Sequence, residues 1–352
     1  MTSDTFQQIN DFEPDVVISF ESQMEIDAQT IVSETVGSRS YDEVNYLAQR
    51  ATNQNLKILT DSFNFPNAKW TNLKLLSEYG IPIPPSWFIT KEGLELVGFD
   101  SPISIPATQL TEDTLQTLTQ FQSRYFDQHS SPQYWLLKSL SEHFGLSILL
   151  TEPDKNLLYV PNDALLFQEL ILPDIGKEYI EDFRVIFVGG KPVDYYTRKA
   201  KDPIVTKEGI LVSNQIKLSQ VLSNMLFSGE GYSEVPDNVH TYLDMAQVSW
   251  DILLSERLPY GHGQSNQEIY SLLCGEPLIG SVDMLVGKVP KVIESHAMMQ
   301  FDAVNLITPI CEYLETISEN KRVVLYGHHV LYDSLAGELL NNGFEVHFAD
   351  RI

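Results

Sequence analysis

Two acidic residues, Asp283 and Glu294, lie in apolar segments late in the chain, and their carboxylates could hold a metal ion. Asp283 belongs to residues 280–285 and Glu294 to residues 292–296, and both segments are typical of buried strands. Mg²⁺ prefers oxygen ligands and binds through one or two carboxylates together with phosphate oxygens. The pattern therefore indicates a site where magnesium is held against phosphates.

An apolar strand in the middle of the chain could hold a purine ring. It covers residues 165–171 and ends in the residues Gln168, Glu169, Leu170 and Ile171. Adenine recognition needs backbone donors and acceptors at the end of a strand, inside an apolar slot. This segment has both features, so we interpret it as one wall of a nucleotide site.

Phosphate binding would need positive charge, which is scarce in this chain. The net charge is −25 over 352 residues, so a nucleotide site must create its own local positive patch. Lys138 ends an apolar strand, where a lysine without a counter-ion would be costly, so a phosphate is a sensible partner. The basic cluster at 198–201 is a second source, although such a cluster is more often a solvated hairpin end.

The same charge and composition also limit which partners and which cellular compartment we expect. A surface this acidic repels nucleic acid and anionic membranes, so we expect neither as a partner. No apolar run approaches the length of a membrane span. The polar start has no signal core, and Cys274 and Cys311 lack the CxxC spacing of a zinc site. We therefore expect a cytoplasmic protein of two or three lobes.

The order of these segments resembles the ATP-grasp superfamily, most closely its carboxylate–amine ligases of the ribosomal-S6-glutamate-ligase and glutathione-synthetase type. The resemblance runs from about residue 64 to residue 299. It implies an α/β ATP-grasp fold, in which a Rossmann-like pre-ATP-grasp lobe accompanies two α+β lobes that enclose the nucleotide.

The resemblance also implies domain boundaries. They are a substrate lobe at 1–63, a small lobe or lid at 64–166, a large lobe at 167–320 with an inserted flap at 199–223, and a C-terminal unit at 321–352. The pattern of the last segment predicts β-α-β. Two interpretations stay open: this unit completes the sheet begun by the N-terminal lobe, or it is an appendage.

Residue roles follow from the same resemblance. ATP would be held by Lys69 and Lys138 at the α- and β-phosphates and by Asp182 at a ribose hydroxyl. The segment Gln168, Glu169, Leu170 and Ile171 would hold the adenine, with the backbone of Glu169 and Ile171 at the purine and Leu170 as a wall. Arg184 and Arg198 would face the γ-phosphate and the acceptor carboxylate, and Asn224 would act beside them. Asp283, Glu294 and His296 would be the metal ligands.

Three positions depart from the family pattern. The loop that covers the phosphates, residues 139–147, has a single glycine. Leu222 stands where relatives carry a basic residue, and His296 stands where they carry an asparagine. Because imidazole prefers softer ions than Mg²⁺, both Mg²⁺ and Mn²⁺ remain candidates.

The implied activity is that of an ATP-dependent carboxylate–amine ligase. A small-molecule or peptide carboxylate would be phosphorylated, and an amine would attack the acyl phosphate to form an amide or peptide bond. Two alternatives stay open, a catalytically degenerate ATP-binding or scaffold protein and an ATP-grasp phosphotransferase to a hydroxyl. Neither the substrates nor the formation of homo-oligomers is determined by the sequence.

Overall fold

The structure is a computed structural model of the chain. It describes residues 4–19, 24, 28, 39–53, 55–60, 68–90, 93–98, 103–106, 135–139, 149–151, 165–174, 176–200, 203–206, 209–210, 232–233, 235–255, 273, 275–296, 306–327 and 332–349.

The first half of the described chain contains α1 (Asp4–Phe12), β1 (Val16–Ser19), α2 (Arg39–Thr52), β2 (Lys57–Thr60), α3 (Ala68–Glu78), β3 (Ser86–Thr90), β4 (Gly93–Val97), β5 (Ile103–Pro106), β6 (Trp135–Ser139), β7 (Leu149–Thr151) and β8 (Leu165–Glu169). The second half contains β9 (Glu181–Val188), β10 (Lys191–Lys199), β11 (Val205–Thr206), β12 (Gly209–Ile210), β13 (Tyr232–Ser233), α4 (Val239–Ser255), β14 (Glu276–Pro277), β15 (Ile279–Leu285), β16 (Lys291–His296), α5 (Ile307–Ile317), β17 (Arg322–Tyr326), α6 (Tyr332–Asn341) and β18 (Glu345–Ala349).

A five-stranded parallel sheet joins the two ends of the chain. Its strand order is β14-β2-β1-β17-β18. The C-terminal strand β17 lies directly beside β1, with Val16 opposite Val323. Parallel strands need crossover connections, and α2 lies between β1 and β2 in sequence as α6 lies between β17 and β18. The C-terminal unit therefore lies in the sheet that the N-terminal strands begin.

Both faces of this parallel sheet are buried. Successive side chains of a strand point to opposite faces, so Val16 and Ile18 pack with α5 and α6 while Val17 packs with α1 and α2. A strand that is covered on both sides can be apolar at every position, which explains the continuous run Val16 to Ile18.

The other described strands form the two-stranded antiparallel pair β11-β12 and two larger antiparallel sheets. One has the order β13-β10-β9-β15-β16 and the other the order β5-β4-β3-β8-β6-β7. The turn between β9 and β10 falls at Gly189 and Gly190, whose φ angles of 55° and 81° favour glycine. Together with the parallel sheet and the helices, these antiparallel sheets confirm the predicted α/β fold class.

A common apolar core links α3 and α4 to both antiparallel sheets. Trp70 of α3 stacks on Phe88 of β3 with ring centroids 4.8 Å apart. Trp250 of α4 stacks on Phe187 of β9 at 5.2 Å, and its indole covers Gly280 of β15 so closely that a Cβ there would overlap the ring. This packing covers one face of the β13-β10-β9-β15-β16 sheet, opposite to the face that carries Asp182, Arg184 and Asp283.

Strand pairing joins segments that the sequence assigned to different lobes. β8 pairs with β3 and β6, so it crosses the predicted lobe boundary at 166/167. β14, from the predicted large lobe, pairs with β2. Most of the predicted flap lies outside the described residues. Within the described ranges, no helix has the length and apolarity that a membrane crossing requires.

Candidate functional site

Four strands of the β13-β10-β9-β15-β16 sheet bring predicted site residues together, because the register between the strands places these residues opposite one another. Asp283 of β15 is the Cα partner of Arg184 on β9 and of Glu294 on β16. Arg198 of β10 is the partner of Asp182 on β9. Directly opposed residues in a sheet point to the same face, and so do residues two apart in a strand. All five residues therefore share one face, although the chain separates them widely.

Arg184 and Asp283 form a buried, two-bond ion pair. Nε of Arg184 donates to Oδ1 of Asp283 at 2.7 Å, and Nη2 donates to Oδ2 at 2.7 Å. The exposed fraction is 6% for Arg184 and 1% for Asp283. Two parallel charge-assisted hydrogen bonds of this kind fix both orientation and distance.

Arg198 bridges two aspartates. Its Nε donates to Oδ1 and Oδ2 of Asp182 at 3.0 and 3.1 Å, and its Nη2 also contacts Oδ2 of Asp182. The same Nη2 donates to Oδ2 of Asp283 at 3.0 Å. Arg184, Arg198, Asp182 and Asp283 thus form one connected group, called here the arginine–aspartate cluster.

In the arginine–aspartate cluster, burial and ion pairing shift the pKa values in opposite directions. Burial lowers the pKa of Arg184 and Arg198, but the nearby aspartates outweigh it, so the pKa of each guanidinium is raised. Burial raises the pKa of the Asp182 carboxyl, and Arg198 opposes that effect. Since guanidinium groups keep their proton in proteins, the cluster carries two fixed positive charges.

A second charged contact joins helix α3 to strand β16. Nζ of Lys69 lies 3.1 Å from Oε1 of Glu294, and the two side chains are 18% and 15% exposed. One turn further along α3, Nδ2 of Asn72 donates to Oγ of Ser295 at 2.8 Å, and both residues are buried. Lys69, predicted to reach a phosphate, therefore lies beside a predicted metal ligand.

The predicted adenine segment is buried at the end of β8. Gln168 and Glu169 are 1% and 8% exposed, and Leu170 is 5% exposed. Nε2 of Gln168 donates to Oγ of Ser86 at 3.2 Å, and the backbone N–H of Glu169 donates to the carbonyl of Pro85 at 2.8 Å. The segment is thus tied to the start of β3.

Ile171, directly after Leu170, is half-buried, so the predicted adenine segment passes from a buried strand toward the surface.

Some predicted site residues lie outside what the structure describes. Asn224, Leu222 and residues 140–147 of the predicted phosphate loop belong to this group. Lys138 and His296 are described by their strands alone: Lys138 pairs with Leu166, and His296 pairs with Ser281. Their assigned roles stay predictions.

The donor set fits a magnesium ion whose coordination is completed by phosphate oxygens. Asp283 and Glu294 face each other across β15 and β16 and offer oxygen ligands, which Mg²⁺ prefers. Among the described residues no group of three or more His, Cys, Asp or Glu side chains is arranged to hold a metal by itself. Two carboxylates with phosphate oxygens would suffice, provided that Asp283 gives up part of its contact with the two guanidiniums.

Two residues that the sequence reasoning did not select border the site. Asn72 follows Lys69 by three positions, a spacing that places both on one side of α3. Tyr196 is the Cα partner of Arg184, and its ring lies 6.0 Å from the guanidinium carbon of Arg198. Helix and strand periodicity, applied outward from the predicted lysine and arginines, would have found both.

Comparison of the sequence with protein-family models finds no match, and neither does comparison with curated proteins. The structure overlaps with solved structures over most of its length. D-cycloserine synthetase DcsG is 10% identical, with 87% of this chain and 94% of that chain covered at a TM-score of 0.35. The ATP-grasp ligase PsnB, solved with a minimal precursor, is 14% identical, with 86% and 78% covered at a TM-score of 0.37.

A third structure is the carboxyaminoimidazole ribonucleotide synthase of Aspergillus clavatus, solved with ATP. It is 10% identical, with 82% of this chain and 71% of that chain covered at a TM-score of 0.33. TM-scores this low say nothing about individual residues or chemistry.

Proposed function

We propose that this protein binds ATP at the arginine–aspartate cluster and uses it to join a carboxylate to an amine. The observation that carries the proposal is the meeting of the buried Arg184, the partly buried Arg198 and the carboxylates Asp283 and Glu294 on one sheet face. Buried cations beside two carboxylates suit a ligand that is itself anionic and metal-bound. Lys69, beside Glu294, adds a third positive charge.

The reaction is a phosphoryl transfer followed by an acyl transfer. An oxygen of the substrate carboxylate forms a bond to the γ-phosphorus as the bond to the β–γ bridging oxygen breaks, which gives an acyl phosphate and ADP. The amine nitrogen then bonds to the acyl carbon and loses a proton, and inorganic phosphate leaves. Most of the protein's contribution to such a reaction is positioning and charge neutralisation.

Arg184 and Arg198 supply that charge neutralisation in the proposal. Each guanidinium presents a planar fork that suits phosphate or carboxylate oxygens. Asp182 and Asp283 pair with these guanidiniums, so the two cations are already oriented when a phosphate arrives. Mg²⁺, held by Asp283 and Glu294, would offset phosphate charge when it is bound.

A second candidate is nucleotide binding without turnover. Both oxygens of Asp283 accept hydrogen bonds from guanidinium groups, so this predicted metal ligand already has cationic partners. If that engagement persists with ATP present, the metal-assisted step would fail while the nucleotide still binds.

Calorimetric titration with ATP and MgCl₂ tests the first half of the proposal. Wild-type protein should bind ATP, and Arg184→Met should weaken binding because it removes a buried cation. Lys191→Met is the matched control: it removes an exposed cation at the far end of the same sheet and should bind as the wild type does. Absence of ATP binding by wild-type protein would refute the proposal.

Phosphate release separates the two candidate functions. A panel of carboxylates is offered with a panel of amines, and released phosphate and amide products are measured, the latter by mass spectrometry. A pair that produces both supports the ligase. ATP binding with no product across the panel favours the second candidate.

A further inference from the structure

Asp182 has no exposed surface, and both of its oxygens are used by one partner. Its exposed fraction is 0%, and Oδ1 and Oδ2 both accept hydrogen bonds from Arg198. A carboxylate that binds a ribose hydroxyl needs a lone pair that the ligand can reach. The geometry of Asp182 is therefore unlike that of a ribose contact, which is the role that the sequence resemblance implied.

Arg198 is held along one edge of its guanidinium. Nε and Nη2 are committed to Asp182, with Nη2 shared by Asp283. For Nη1, no hydrogen bond is present within the described part of the chain, and 16% of the side chain remains exposed. The held edge fixes the plane of the group and leaves its remaining nitrogen as the donor that an incoming anion can meet.

We infer that Asp182 is a positioning residue, which holds Arg198 in the orientation that meets the γ-phosphate of ATP. The inference rests on the proposed function. A carboxylate that holds two nitrogens of a guanidinium orders a long side chain before the ligand arrives, so less conformational entropy is lost on binding. Asp283 cannot replace Asp182 in this role, because it is already held by Nε and Nη2 of Arg184.

Two affinity ratios distinguish the roles without any knowledge of the acceptor substrate. The first ratio compares ATP with ADP and reports recognition of the γ-phosphate. The second compares ATP with 2′-deoxy-ATP and 3′-deoxy-ATP and reports recognition of the ribose. Both are measured by calorimetry in the presence of MgCl₂.

In Asp182→Asn, the preference for ATP over ADP should fall by about tenfold, because an amide holds the guanidinium less firmly than a carboxylate does. The ratios for the deoxy nucleotides should stay within about twofold of the wild type. Glu181→Gln is the matched control. It makes the same chemical change one residue earlier, on the opposite side of β9, and should leave every ratio unchanged.

The opposite pattern, with the deoxy ratios altered and the ATP-to-ADP ratio retained, would show a ribose contact and overturn the inference. Unchanged ratios of both kinds would leave Asp182 a purely structural role and overturn it too. If Asp182→Asn does not fold, Arg198→Lys tests the same idea. Lysine keeps the positive charge but lacks the pair of nitrogens, Nε and Nη2, that Asp182 holds. A full ATP preference in Arg198→Lys would then reject the inference.

Should wild-type protein fail to bind ATP, the proposed function and this inference fail together. Binding by the wild type with the wrong pattern in Asp182→Asn rejects only the inference.

Discussion

At the scale of single residues, the arginine–aspartate cluster combines function with stability. Buried ion pairs cost desolvation free energy, and removing one partner leaves an uncompensated charge. Arg184 and Arg198 each depend on Asp283, so a change there affects two guanidiniums at once. Loss of activity in a cluster variant must therefore be compared with its folding stability.

We predict that Asp283→Asn lowers the free energy of unfolding by roughly 3–5 kcal/mol, because it removes the buried anion that the guanidiniums of Arg184 and Arg198 share. Chemical denaturation measures the change. Asp251→Asn, on the exposed side of α4, is the control and should alter stability by no more than about 0.5 kcal/mol. A small effect of Asp283→Asn would show that water or another group replaces the lost carboxylate.

We predict that Arg198→Ala reduces turnover by roughly 10³-fold or more while the affinity for ATP changes by no more than about tenfold. The reason is that a cation which faces transferred phosphoryl charge acts mainly in the transition state. Phosphate release and calorimetry with the same preparation give the two values. Turnover equal to that of the wild type would remove Arg198 from the reaction.

At the scale of elements, close packing of β15 against α4 keeps the charged face of the sheet in register. Gly280 lies on β15 beneath the indole of Trp250, which leaves no room for a side chain. Three residues further along, Asp283 reaches the arginine–aspartate cluster. A strand displaced by a larger residue at 280 would carry Asp283 with it.

Gly280→Ala should therefore destabilise the fold by about 1–3 kcal/mol, because the added methyl group overlaps the ring of Trp250. Gly337→Ala is the matched change in α6, where a Cβ would meet nothing within 4 Å. There, alanine should stabilise the helix by about 0.5–1 kcal/mol. Thermal and chemical unfolding of the two variants give the comparison, and equal effects would contradict the packing argument.

At the scale of the whole molecule, the parallel sheet depends on both ends of the chain. β1 lies between β2 and β17, so the central strand has a C-terminal neighbour. Asp15, just before β1, accepts hydrogen bonds from Ser318 and Asn320 at 2.7 to 2.8 Å and from the backbone of Arg322 at 3.3 Å. One carboxylate thus ties the N-terminal strand to the connection that leads into β17.

Removal of residues 321–352 should prevent folding of the parallel sheet, because it uncovers the edge of β1 and the apolar side chains on both of its faces. Solubility and circular dichroism measure the outcome. Trimming residues 350–352 alone is the control and should leave the fold intact. A soluble, folded protein without 321–352 would show that the tail is an appendage.

Asp15 also predicts a pH dependence. Burial raises the pKa of its carboxyl, but hydrogen bonds from Asn320, Ser318 and Arg322 outweigh burial, so the pKa lies below the usual 3.8. A lowered pKa means that the ionised form stabilises the fold above about pH 4, and that this contribution is lost as the pH falls through the lowered value.

Asp15→Asn should therefore be less stable than the wild type at pH 7, by roughly 1–2 kcal/mol. The difference should shrink as the pH falls below about 4. Chemical denaturation across the pH range tests this, and a constant difference at all pH values would exclude ionisation of Asp15 as its cause.

Much of the fold could be predicted from the residues themselves. Apolar runs locate strands such as β1, paired glycines locate the turn at 189–190, and the order of charged and apolar segments indicates an α/β chain with a site on its late strands. These features are local, since periodicity and turn chemistry act within a few residues.

Pairing across long stretches of chain was decided by the tertiary structure. The sequence identified Asp182, Arg184, Arg198 and Asp283 as separate candidates, but not that Arg198 is held by Asp182 and shares Asp283 with Arg184. Nor did strand periodicity alone indicate that β14 pairs with β2. Periodicity determines which face a side chain occupies, whereas its partner depends on the register between strands that are distant in sequence, and packing of the whole core sets that register.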